Sequence, residues 1–193
     1  AAQAGIALAL GIPGGAVMGL VGPQFVGGMG ALAFLLAAEV AAATAVVSES
    51  ALVYMARHRN LLISLAMLAV QALVSVGLIQ LVDTLSVKPE MRGLYQAAAV
   101  ACGLMISLGL GSIIKARLLS RLLGHPISIW RGALVWAVLA ASMLGIIIVS
   151  LPPRFEWVEL AIGVPALLGL YGWVIWRWGF GPDDRVLFRK NAD

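Results

Sequence analysis

The chain has 193 residues, 62% of them hydrophobic and 11% charged, with a mean hydropathy of +1.01 and a formal net charge of +4. Soluble domains carry about 25% charged and about 45–50% apolar residues, so this composition excludes a soluble globular domain, a disordered chain and a nucleic-acid-binding arm. The apolar stretches do not alternate every second residue, which argues against a β-barrel, and one cysteine, Cys102, excludes an internal disulfide and a multi-cysteine metal site.

A bilayer-crossing helix needs about 20 mostly apolar residues. Six runs meet this requirement, so the predicted fold is an all-α, polytopic membrane bundle of about six transmembrane helices. The chain opens Ala1-Ala2-Gln3, with no Met and no basic n-region. A signal peptide is not expected, and neither is residue 1 as the biological start.

The first run, Ala4 to Gly22, is interrupted at Ile12-Pro13-Gly14-Gly15. Proline removes a backbone hydrogen bond and crowds the preceding turn, so a kink is expected. In a transporter such a break marks a gating or substrate-lining segment; elsewhere it is a tolerated kink.

The second run goes from Gly28 to Val47, with a helical extension to about Ala56. It carries Glu39 about eleven residues, or about 16 Å, inside its outer end. An acid at that depth is costly and is expected to face the bundle interior or a water-filled cavity. There it would bind a proton, a cation or a polar head group, or serve as a structural carboxyl. Ser50 projects to nearly the same helical face. Glu49, near the inner end, reads as a solvated charge or a partner of Arg57 or Arg59.

The third run, Leu61 to Val82, holds Gln71 in mid-span, either as an interhelical hydrogen bonder or as a substrate contact. The fourth, Leu94 to Ile114, opens with Gln96 and carries Ala99, Gly103, Ser107 and Gly111 at intervals of four. This small-residue stripe predicts close helix packing. The segment Lys115 to Gly124 reads as a short amphipathic helix on the cytoplasmic surface. Leu118, Leu119, Leu122 and Leu123 form its apolar face, and Lys115, Arg117 and Arg121 attract anionic lipid. The fifth and sixth runs are Ala133 to Leu151 and Val158 to Trp176. The expected organisation is four spans over 1–114, an amphipathic loop over 115–131, two spans over 132–177 and a polar tail over 178–193.

The connections alternate in charge. One set holds Arg57 and Arg59, then Lys115, Arg117, Arg121 and Arg131, then Arg177, Arg185, Arg189 and Lys190; the other holds only Lys88, Arg92 and Arg154. Positive loops stay in the cytoplasm, so both chain ends are expected there. Asp83, Glu90, Glu156 and Glu159 fall on the outer side. Trp130, Trp157, Trp176 and Trp178 fall at span ends, where indole rings favour the interface.

No catalytic constellation is visible: there is no His-Glu-x-x-His helix, no phosphate-binding loop and no paired acids at metal-ligand spacing. The chain does not read as an enzyme, and no metal or cofactor is implied.

The stretch from Gly11 to Leu61 contains Leu20-Val-Gly-Pro-Gln-Phe25, Ala31-Leu-Ala-Phe-Leu-Leu36, Glu39 and Ser50-Ala-Leu-Val-Tyr-Met-Ala-Arg-His-Arg59. It resembles the polysaccharide and lipopolysaccharide exporters of the multidrug/oligosaccharidyl-lipid/polysaccharide superfamily. Val21 stands where the family usually has Phe. The resemblance covers roughly residues 5–120. It implies a two-lobe flippase of 12–14 helices in the bacterial inner membrane, of which this chain is the C-terminal part. A missing N-terminal lobe and a lipid-linked oligosaccharide would be its partners. The family's cavity is often basic, and no basic residue is read in mid-span here. Two other readings stand beside it: a scaffold docking a partner on the Ala99–Gly111 stripe, and a membrane enzyme of lipid or cell-wall metabolism.

Overall fold

The computed structural model describes residues 1–126, 132–149 and 159–179. All secondary structure among the described residues is helical. Among the described residues seven α-helices are formed: α1 (Ala2–Gly11), α2 (Gly14–Val21), α3 (Met29–Met55), α4 (Arg57–Thr84), α5 (Pro89–Leu123), α6 (Gly132–Val149) and α7 (Val164–Val174). A 3-10 segment, Pro23–Gly28, precedes α3, and π-helical turns, Glu159–Gly163 and Ile175–Gly179, flank α7.

Among the described residues, four helical stretches are long and apolar enough to cross a membrane: Pro23–Val46, Arg57–Thr84, Pro89–Leu123 and Leu160–Gly179. The pair α1 and α2 makes a fifth if its two pieces form one span. The chain is therefore a multi-pass membrane protein by the length and composition of its helices. The remaining expected run, Ala133 to Leu151, corresponds to α6. It is apolar over its 18 described residues, about 27 Å at 1.5 Å per residue.

The break in the first span falls at Pro13, between the end of α1 at Gly11 and the start of α2 at Gly14, with a bend of 75°. Pro13 and Gly14 are buried and Gly15 is half-buried.

The described contacts divide the chain into two units, residues 1–16 with 130–193, and residues 17–129. This differs from the expected grouping of the first four spans, because α1 packs with α6 and α7. In that unit the Tyr171 hydroxyl donates to the carbonyl of Ala1 at 2.6 Å. A Cβ on Gly5 would lie 3.0 Å from the Tyr171 ring, so the glycine lets the aromatic ring approach the backbone of α1. Ala137, Ala141 and Leu167 are almost wholly buried in the same unit.

In the second unit α5 is central, packed against both α3 and α4, while α3 and α4 touch each other little. Its ends are defined chemically. Pro89 occupies the first turn with Glu90, and Arg121 lies in the last turn, matching the helix dipole. Gly124, at φ +69, terminates it in the left-handed conformation that favours glycine. The helix is 35 residues long, about 52 Å. Residues 115–123 are thus the last turns of α5, which corrects the expected separate surface helix. Lys115, Ala116 and Leu119 are buried there, while Arg117 and Arg121 are exposed. Ala56 alone separates α3 from α4, so Arg57, His58 and Arg59 form the exposed first turn of α4 rather than a loop.

Ala99, Gly103, Ser107 and Gly111 are all buried. A Cβ on Gly103 would collide with the Ser75 hydroxyl and lie 3.2 Å from the Ser75 amide nitrogen. Ser107 Oγ donates to the Met67 carbonyl at 3.0 Å, and Gly111 faces the Met67 side chain. Gly103, Ser107 and Gly111 thus pack against α4 of the same chain, so this part of the stripe is not a free docking face. At the far end of the hairpin, Asp83 accepts hydrogen bonds from Arg92 Nε at 2.8 Å and from Gln96 Nε2 at 2.9 Å. Trp130, Arg131, Arg154, Glu156, Trp157 and the tail from 180 onward lie outside the described residues.

The α4–α5 approach gives a first test. Gly103→Val should lower stability by about 1–3 kcal/mol through overpacking. Gly109→Ala, with nothing within 4 Å of its added Cβ, should be neutral or stabilising by up to about 1 kcal/mol. Thermal unfolding in detergent, followed by circular dichroism, reads the contrast; equal stability of the two variants would show that the packing is not tight.

Candidate functional site: a polar cleft and the outward face of α3

α3 runs parallel to α5, pairing Thr44 with Ser112 and Glu49 with Lys115. α4 runs antiparallel, pairing Met67 with Ser107 and Ser75 with Gly103. Because α3 and α4 scarcely meet, a cleft of about 360 Å³ remains between them, floored by α5. Ala42, Ala45, Val46 and Glu49 form one wall, and Ser64, Met67, Leu68 and Gln71 the other.

The cleft holds an ion pair. Lys115 Nζ donates to Glu49 Oε1 at 2.9 Å, with the lysine side chain 9% exposed and the glutamate 46%. A buried ammonium is tolerated only when paired. Along the same α3–α5 contact, the Thr44 and Ser112 hydroxyls share a hydrogen bond of 2.7 Å. Glu49, read as a solvated charge or as a partner of Arg57 or Arg59, is paired instead with Lys115, and those arginines lie exposed in the first turn of α4.

The three residues read as substrate contacts are not brought together. Gln71 is half-buried and lines the cleft. Glu39 and Ser50 are exposed on α3 and are not among the residues that line this cleft; of the residues between them on that side, Ala43 is exposed and Val46 borders the cleft. The face of Glu39 carries Glu39, Ala43, Val46, Ser50 and Tyr54 at helical spacing, all exposed. The polar groups of that face are thus Glu39 at one end and Ser50 and Tyr54 at the other, among the exposed apolar side chains of Leu35, Ala43, Val46 and Val53. The Ser50 hydroxyl donates to the Val46 carbonyl at 2.9 Å, a local bond common for serine within helices.

Lys115 is the residue that sequence reasoning placed wrongly. Its charge marked it as the start of a cytoplasmic loop. The signal that locates it is the period of four: Ala99, Gly103, Ser107 and Gly111 are followed by Lys115 and Leu119 on the same buried face.

Comparison with protein-family models, with curated proteins and with solved structures gave no match.

The unequal exposure of the pair predicts an asymmetry. Glu49→Gln strands a buried ammonium and should cost about 3 kcal/mol. Lys115→Met leaves a half-exposed carboxylate that water can solvate, and should cost clearly less. The double substitution should recover most of the Glu49→Gln loss. A double-mutant cycle on unfolding in detergent measures this, and additive losses would mean that the two groups do not interact.

Proposed function

We propose that the chain forms part of a membrane transporter that translocates a lipid-linked oligosaccharide across the bacterial inner membrane. Residues 17–129 supply one wall of the pathway. The observation that supports this reading is the outward exposure of Glu39 on α3. A charged side chain facing hydrocarbon costs about 2.5–3.5 kcal/mol even on permissive scales. A face carrying Glu39, and further along it the hydroxyls of Ser50 and Tyr54, is therefore suited to a water-filled passage. There such groups exchange hydrogen bonds with sugar hydroxyls, and the small Ala43 beside Glu39 leaves room for them.

In this reading the opposite wall is the missing N-terminal lobe, and the break at Pro13, Gly14 and Gly15 is the moving element. Both chain ends lie in the cytoplasm, so the exposed Arg117 and Arg121 meet the anionic lipid of the inner leaflet. Lys115, turned inward to Glu49, leaves that surface. The chain acts as a transporter and not as an enzyme.

Glu39→Gln, made in the full-length protein, should lower surface polysaccharide about tenfold through loss of one charge-assisted interaction. Protein level should stay unchanged. Surface staining normalised to membrane protein is the measurement, and export equal to wild type would remove Glu39 from the pathway.

A further inference from the structure

The cleft between α3 and α4 holds one positive and one negative group, 2.9 Å apart, in a cavity open between two helices. Each class of ligand can be weighed against that fact. A simple anion drawn to Lys115 would meet Glu49. A simple cation drawn to Glu49 would leave the ammonium of Lys115 stranded in a site where its side chain is 9% exposed. A molecule bearing both charges satisfies both. Lys115 has three N–H donors, and among the described residues Glu49 is its one hydrogen-bond partner. Two donors are therefore available to the oxygens of a phosphate. Glu49, half-exposed, can turn to accept from an ammonium of the ligand.

The surroundings narrow the class further. α3 and α4 touch little, so the cleft is open between two helices that are apolar enough to span a membrane. Met67, Leu68 and Leu108 line it beside the polar Ser64 and Gln71. The C-terminal end of α3, the N-terminal end of α4 and the C-terminal end of α5 share one end of the unit. Arg57, Arg59, Arg117 and Arg121 are exposed there, and such a basic end draws phosphate to its level. α5, at about 52 Å, exceeds the hydrocarbon core by about 22 Å. Lys115, eight residues from the end of α5 at Leu123, therefore lies near the depth of the head groups.

We propose that this cleft binds a zwitterionic phospholipid head group with a primary ammonium, of the phosphoethanolamine class. The phosphate bonds to Lys115, the ammonium to Glu49, and the acyl chains leave between α3 and α4. A quaternary ammonium offers Glu49 no N–H donor and binds more weakly. The proposal rests on the membrane character of the chain and is independent of its transport role.

The test uses the full chain, purified in detergent and given equal amounts of phosphatidylethanolamine, phosphatidylcholine and phosphatidylglycerol. Native mass spectrometry counts the retained lipid. The expected result is about tenfold preference for phosphatidylethanolamine, the worth of one charge-assisted hydrogen bond. Glu49→Gln combined with Lys115→Met should abolish that preference. Preference for phosphatidylglycerol, equal retention of all three lipids, or an unchanged preference in the double variant would each overturn the proposal. If the double variant fails to fold, competition by water-soluble glycerophosphoethanolamine replaces it. Displacement of the bound lipid supports head-group recognition, and no displacement assigns retention to the acyl chains and overturns the proposal.

Discussion

The close approach of α5 to α4 is the constraint on which the second unit depends. Gly103 permits it, because any side chain there would strike Ser75. In a bilayer no hydrophobic force drives helices together, since lipid is as apolar as leucine; packing and interhelical hydrogen bonds must do so. Small residues every fourth position on α5 supply the packing, and Ser107 adds a hydrogen bond to the Met67 carbonyl. With α4 held in this way and α3 on another side of α5, the two outer helices stay apart. The cleft is a by-product of that arrangement, and its ion pair sits where the small-residue stripe turns polar.

The two acids of α3 illustrate how position decides the meaning of a charge. Glu49 finds Lys115 on α5 and closes a pair within the bundle. Glu39, ten residues earlier, lies on the exposed side of the same helix. One carboxylate is answered inside the unit. The other asks for water or protein from outside it, because lipid offers neither hydrogen bonds nor charge.

Much of this was legible in the sequence, and what was hidden had identifiable causes. The helical class followed from long apolar runs, and the break at Pro13 from proline chemistry. The bounds of α5 were also present, as Pro89 at the start and Gly124 at the end, but a run of basic residues read as a loop concealed them. Charge is a local signal, whereas the pairing of Lys115 with a residue 66 positions earlier is a tertiary one. The outward direction of Glu39 could not be read, because α3 is apolar on nearly every face and gives no contrast between core and surface. The grouping of α1 with α6 and α7 depends on contacts such as Tyr171 to Ala1, across most of the chain, and no local pattern encodes it.

The length of α5 sets limits on how it can lean. Membrane helices tilt by up to about 40°. Burying all of a rod of about 52 Å in about 30 Å of hydrocarbon would need a tilt near ~55°. Part of α5 must therefore stand outside the hydrocarbon at every permitted angle. Arg92 and Arg117 stand 25 residues apart on it, about 38 Å. Both guanidinium groups clear the hydrocarbon while the tilt stays below about 35°. Beyond that angle one of them is drawn into the oil. The two arginines thus set a ceiling on the tilt of the central helix of the unit, somewhat below the steepest angle that membrane helices adopt.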